Sequence, residues 1–233
     1  MMDRVRELRD RGRTPKEIAR ALKVSPATVA PLIRALGAAD GRVREAQLIG
    51  CWANAGWSSS VTVAEHADWQ DLDRRDRGDR GETEPGASGL VSLAVARERG
   101  SSVLACGYLV DTWCLGVKNA MGPKSMERRK LPAFLNGFFS AYEGPPVEVT
   151  LSLARQVVFG AVDYARRLGF EPHEDFARAA GHLGDWDGKC GLGFGRDGMP
   201  VYVEGPHDDA GSIMRTLRKN VGDGNFHYVA GLK

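Results

Sequence analysis

Four cysteines, Cys51, Cys106, Cys114 and Cys190, are spread over 233 residues, and no two form a Cys-x-x-Cys pair. A disulfide scaffold needs denser cysteine in a shorter chain, so these are read as reduced thiols, most of them buried. No apolar run approaches the ~20 residues that span a bilayer, and charge begins at Asp3, which leaves no room for a signal-peptide core. The expectation is a cytoplasmic protein with no membrane partner. There is no internal repeat. Gly191-x-Gly193-x-Gly195 lies in a hairpin-like stretch and not at a strand-to-helix turn, so a nucleotide fingerprint is excluded. His173, His207 and His227 with Asp208 follow no zinc spacing, and neither a metal nor a cofactor is expected.

What is present is the composition of a globular protein, 42% hydrophobic and 27% charged, with a formal charge of only +2. That mean hides a split. Residues 1–44 carry eleven basic and five acidic side chains, a net of +6, whereas residues 45–233 carry 21 basic and 25 acidic, a net of −4. A basic arm on an acidic body points to a nucleic-acid partner for the arm.

The arm reads as helical throughout. Val5 and Leu8 set an apolar face on a first helix that Gly12 can end. Thr14, Pro15 and Glu17 supply an N-cap, a first-turn proline and a capping box for a second helix whose inner face is Ile18, Ala19 and Leu22. After Lys23-Val24, Ser25 caps and Pro26 opens a third helix with Val29, Leu32, Ile33 and Leu36 inward, ended by Gly37.

These residues resemble the helix-turn-helix family of DNA-binding domains over residues 1–36. Ile18 and Ala19 take the β-branched and small positions of the positioning helix, and Leu22, Val24, Val29 and Leu32 take the positions that clamp it to the recognition helix. Lys23 stands where a glycine is often found in the turn. The outward positions of the recognition helix are Pro26, Ala27, Ala30, Pro31 and Arg34, with Thr28 beside them. Base edges are read by Arg, Asn and Gln, of which this helix has almost none. The residues expected to face DNA are Arg13, Lys16, Arg20, Lys23, Ser25, Ala27, Thr28 and Arg34: the basic ones would hold phosphates, while Thr28 and the alanine methyls would touch a thymine methyl. Pro31, inside the helix, removes a backbone donor and is expected to kink or shorten it.

Residues 37–46 read as a linker, and residues 47–233 as an α+β domain with mostly antiparallel strands. In this domain 51–63 reads as strand, turn, strand. Residues 68–89 interleave acids and arginines with too few apolar residues to build a core and read as a mobile surface loop. Residues 90–97 form a strand, and 103–117 one long β-rich run around Asp111. Helices are expected over 133–142 and 149–168, the latter with an apolar stripe of Leu153, Val157, Val158, Ala161, Val162, Ala165 and Leu168. A short helix carries Phe176 and Ala180. Residues 191–194 and 201–204 flank Asp197-Gly198 as a hairpin. A helix over 209–220 and a strand over 225–229 close the chain.

Candidate chemistry is sparse. Asp111 is a carboxylate inside an apolar run, which is costly unless paired or wet. His207 and Asp208 precede a helix, and Asp208 or Asp209 can cap it. His227 lies in the last strand. Asp111, His207, Asp208 and His227 are thus the candidates for an acid/His site, while Cys114 in apolar surroundings is expected to be inert. Tyr108 to Ala120, Tyr164 to Phe176 and Phe194 to Asp209 with Gly224-Asn225-Phe226-His227-Tyr228 resemble an uncharacterised bacterial protein family, which implies a boundary near residue 45 and no assigned activity.

The expected function is a DNA-binding transcriptional regulator whose α+β domain provides dimerisation, partner docking or ligand sensing. Double-stranded DNA is the expected partner, with a protein partner or a second copy possible. Two alternatives stand beside it: an enzyme, hydrolytic or nucleic-acid processing, acting through the acid/His residues; and a protein-interaction adaptor in which the third helix docks on protein.

Overall fold

The computed structural model describes residues 1–10, 13–33, 46–63 and 89–231. The fold is α+β. The first helices are α1 (Met2–Asp10), α2 (Pro15–Ala21) and α3 (residues 26–33). Val5, Ile18, Ala19 and Val29 bury their side chains together, with Met2, Leu8, Leu22, Val24, Leu32 and Ile33 packed around them. Local chemistry sets the boundaries. Thr14 Oγ1 accepts from Glu17 N at 3.4 Å and Glu17 Oε2 accepts from Thr14 N at 2.8 Å, the reciprocal capping box. Ser25 Oγ accepts from Thr28 N at 3.1 Å and opens α3. The helix runs on through Pro31 to residue 33 without interruption. Gly12, Arg34, Leu36 and Gly37 lie outside the described residues.

The body is built on five antiparallel strands in the order β5-β4-β3-β1-β6. These are β1 (Leu48–Ala53), β3 (Leu90–Arg99), β4 (Ser102–Asp111), β5 (Gly116–Glu127) and β6 (Val147–Val149). Strand parity divides the side chains between two faces. Val91, Leu93 and Val95 of β3 with Cys106, Tyr108 and Val110 of β4 pack under the long helix α5 (Leu151–Arg167). Ala94, Ala96, Val103 and Ala105 pack under α4 (Leu131–Phe138), where Phe134, Phe138 and Phe139 cover them. Both faces are covered, so β3 is buried at seven consecutive positions from Val91 to Arg97.

The apolar stripe expected on α5 is the buried one, with Leu153, Val157, Val158, Ala161, Val162 and Ala165 all inward. Thr150 caps it, its Oγ1 accepting from Leu153 N at 3.1 Å. α6 (Phe176–Ala179) and a following 3-10 turn, Ala180–His182, lie along the α5 face. α7 (Ala210–Val221) starts at Asp209, whose Oδ1 accepts from Ser212 N at 3.0 Å.

Three expectations are corrected. The run 103–117 is two strands joined by a turn over 112–115, with Asp111 ending β4. β5 continues to Glu127 through residues that are mostly exposed, and polar, glycine and proline residues there left no apolar signal to read. The Asp197-Gly198 turn forms, with φ of 54° and 80°, but its flanks part. β7 (Leu192–Gly193) pairs with β2 (Thr62–Val63), and β8 (Val201–Val203) pairs in parallel with β9 (His227–Val229). Only Arg196 and Met199 bridge each other across the turn. Residues 68–88 of the expected mobile loop lie outside the described residues.

Candidate functional site

The first candidate surface is on α2 and α3. Lys16, Arg20, Lys23, Ser25, Ala27 and Thr28 are all exposed, as is Arg13, which lies 3.6 Å from Glu17. Hydrogen bonding to Thr14 holds the Glu17 carboxyl below its ordinary value. The Thr28 hydroxyl is 2.8 Å from Ser25 Oγ, so it is engaged in the cap. Between the helices, Lys23 has φ 54°, a left-handed conformation that a side chain makes costly. Val24 N closes the turn on Ala19 O at 3.0 Å. Lys23→Gly removes that Cβ strain at the expense of a more flexible unfolded chain, a net gain of about 0.7 kcal/mol. Amide exchange across residues 15–33 is expected to slow about threefold; unchanged or faster exchange would count against strain at this position.

The second candidate is the β4–β5 turn. Asp111 is only 5% exposed, and both its oxygens point back into the turn. Oδ1 accepts from Trp113 N at 2.9 Å and Cys114 N at 3.0 Å, and Oδ2 accepts from Leu115 N at 3.1 Å. Burial pushes this carboxyl up to about 6, against the opposing pull of the three amides and of Lys118. Lys118 Nζ donates to Asp208 Oδ2 at 2.9 Å, and the same oxygen accepts from Gly205 N at 2.9 Å and from the Tyr202 hydroxyl at 3.4 Å. Lys118 and Gly205 hold Asp208 below the ordinary aspartate value, although burial acts the other way.

The rest of the domain converges on this turn. Thr112 Oγ1 donates to Ser60 O at 2.6 Å, Gly195 N donates to Thr112 O at 3.0 Å, and Val201 N donates to Trp113 O at 3.2 Å. The two flanks of the Asp197-Gly198 turn therefore bond to β4–β5 backbone in place of each other. Arg196 lies 5.5 Å over the Trp113 ring. Gly116, at φ 69°, is needed because a Cβ there would stand 2.9 Å from Ala161 O.

No protein-family model, curated protein or solved structure matches the chain. The geometry alone must carry the reading. Of the four acid/His candidates, Asp111 and Asp208 both feel the charge of Lys118. His207 is exposed, His227 is exposed, and neither side chain makes a hydrogen bond among the described residues. His173 Nδ1 accepts from Asp175 N at 3.2 Å. Among the described residues no three His, Cys, Asp or Glu side chains are grouped to hold a metal. The Cys114 thiol is pushed up by burial and by Asp111. Cys51 and Cys106 are pushed to about 12 by burial. All four cysteines are free, with Cys190 exposed.

Two buried basic side chains escaped the sequence reading. Arg97 is 5% exposed, donating from Nε to His182 O at 2.8 Å and from Nη1 to Ala46 O at 2.9 Å. His182, 1% exposed, has Nε2 3.2 Å from Leu104 O. Arg97 could have been found by parity, since it shares the inward side of β3 with Val91, Leu93 and Val95. Nothing local marks His182. No helix among the described residues is long and apolar enough to cross a membrane.

Proposed function

We propose that the protein is a DNA-binding transcriptional regulator of the helix-turn-helix type, whose α+β body serves dimerisation, partner docking or ligand sensing. The observation that carries this is the tight turn between α2 and α3. Lys23 adopts the left-handed conformation at the position where the family often has glycine, and Ile18, Ala19 and Val29 bury against Val5 on either side of it. This clamp holds α3 against α2 and leaves Ser25, Ala27 and Thr28 exposed, as are Lys16 and Arg20.

The chemistry of that face favours backbone over bases. Ala27 offers a methyl, the Thr28 hydroxyl is engaged by Ser25, and the cations lie on α2 and its flanks. The β4–β5 turn offers little to a hydrolytic alternative, because Asp111 spends its lone pairs on three amides and Cys114 remains a thiol.

Binding of a labelled duplex, followed by anisotropy from about 50 to 200 mM salt, is expected to weaken steeply. Lys16→Gln with Arg20→Gln removes two phosphate contacts, so the log–log salt slope falls by about 2 and affinity drops about 50-fold near 0.1 M salt. Absence of binding at low salt, or identical slopes for the two proteins, would rule the proposal out.

A further inference from the structure

The body as a whole is acidic, but one end of its sheet is not. The β3–β4 hairpin reverses at Gly100, which places Arg99 opposite Ser102, and Ser102 in turn opposite Glu127 on β5. Arg128, Arg129 and Lys130 follow immediately in a 3-10 turn. Arg99 and Lys124 are exposed, and the side chains of Arg128, Arg129 and Lys130 are 68%, 80% and 63% exposed. Two carboxylates face them. Glu98 pairs with Arg128, and Glu127 pairs with Arg129 at 2.7 Å and with Lys130 at 3.4 Å. Five cations against two carboxylates leave +3, while residues 45–233 together net −4. Exposed pairs of this kind hold little energy and exchange readily for another anion.

The register also places this end next to the point where the N-terminal arm joins the body. Glu98 N donates to Gln47 O at 2.8 Å, Arg97 Nη1 donates to Ala46 O at 2.9 Å, and Leu48 pairs with Arg97. Residues 34–45 separate α3 from Ala46. Fully extended, that length of chain spans about 45 Å at most. The basic end is thereby tethered within roughly one and a half duplex turns of α3.

We propose that this sheet end, Arg99, Lys124, Arg128, Arg129 and Lys130, is a second phosphate-binding surface that engages the same DNA duplex as the helical arm. The inference rests on the DNA-binding reading above and adds to it a role for the body. A tethered second contact adds to affinity without any base readout, which suits an α3 face poor in base-reading groups. A phosphate backbone, with its high linear charge density, is the partner that displaces two exposed carboxylates from a net cationic strip.

The test uses the full chain and a labelled random-sequence duplex. Arg128→Gln, Arg129→Gln and Lys130→Gln together are expected to lower the salt slope by about 3 and the affinity about 500-fold near 0.1 M salt, with an unchanged melting curve. Glu98→Gln with Glu127→Gln removes the competing carboxylates and is expected to tighten binding several-fold. If Lys16→Gln with Arg20→Gln weakens binding while the triple variant matches the unsubstituted protein, the second surface is overturned and the helical reading survives. If the unsubstituted protein fails to bind duplex, both fall. Loss of binding to phosphatidylserine-containing vesicles in the triple variant, with duplex affinity unmoved, would assign the strip to membranes and overturn the proposal.

Discussion

Asp111→Ala is expected to lower the unfolding free energy by about 3 kcal/mol near neutral pH, and by more in acid. The variant strands the amides of Trp113, Cys114 and Leu115, which all donate to this carboxyl. Leaving buried donors without acceptors costs about 2 kcal/mol each. Against that stands a relief: burial raises the carboxyl from 3.8 to about 6, so the ionised side chain is held at a disadvantage of about 3 kcal/mol. Below the folded value the side chain is neutral, the relief disappears, and the cost of the alanine variant grows to about 5 kcal/mol near pH 4.5. Asp111→Asn keeps an acceptor for Trp113 and Cys114 and carries no charge, so its cost near neutral pH is below about 1 kcal/mol. Denaturant melts of both variants at the two pH values check this. A cost under about 1 kcal/mol for alanine at both would mean that the turn does not depend on Asp111.

The second large effect is a pair of opposed pH dependences. Burial, aided by Arg97, lowers His182 from 6.5 to about 4. Between those values the unfolded chain takes up a proton that the folded protein refuses. The His182 contribution is therefore present above 6.5 and is lost as pH falls, by about 3 kcal/mol in all. Asp111 behaves in the opposite sense. Its folded value lies above the unfolded one, so its contribution is present below about 3.8 and is lost as pH rises to about 6. The two nearly cancel, and stability is expected to be flat between about pH 4 and 6. Asp111→Asn exposes the histidine, with stability falling by about 3 kcal/mol on acidification. His182→Gln exposes the aspartate, with stability rising by a similar amount. Parallel pH profiles for the two variants would refute this assignment.

The starts of α2 and α3 were legible in the sequence. Thr14, Pro15 and Glu17 form the capping box they spell out, and Ser25 caps α3, because caps depend on neighbours within three residues. The α5 stripe was equally plain, since one face of a 17-residue helix repeats its apolar positions over almost five turns. The Asp197-Gly198 turn was legible for the same reason: positive φ at two successive residues is a property of that dipeptide.

Pairing was not legible. The same turn invites a hairpin, yet the flanking backbone finds partners at Thr112 and Trp113, some 80 residues earlier in the chain, and in β2 and β9. The outer half of β5 carried no signal because its mates lie on one side only and its own side chains face solvent. Asp111 was recognised as anomalous, but its use was not. A carboxylate in an apolar run is costly wherever it sits, and only the turn over 112–115 shows that it is satisfied by three amides of its own chain.

By itself the sequence determined the charge split, the capped starts of α2 and α3, the long amphipathic helix and the α+β class. Each of these follows from composition or from periodicity within a few residues. The tertiary structure alone decided which strands pair, that Arg97 and His182 are buried, that Lys118 pairs with Asp208, and that the basic strip lies beside the start of β1. Those are contacts between residues tens of positions apart, set by register and by the covering of both sheet faces, and no local pattern encodes them.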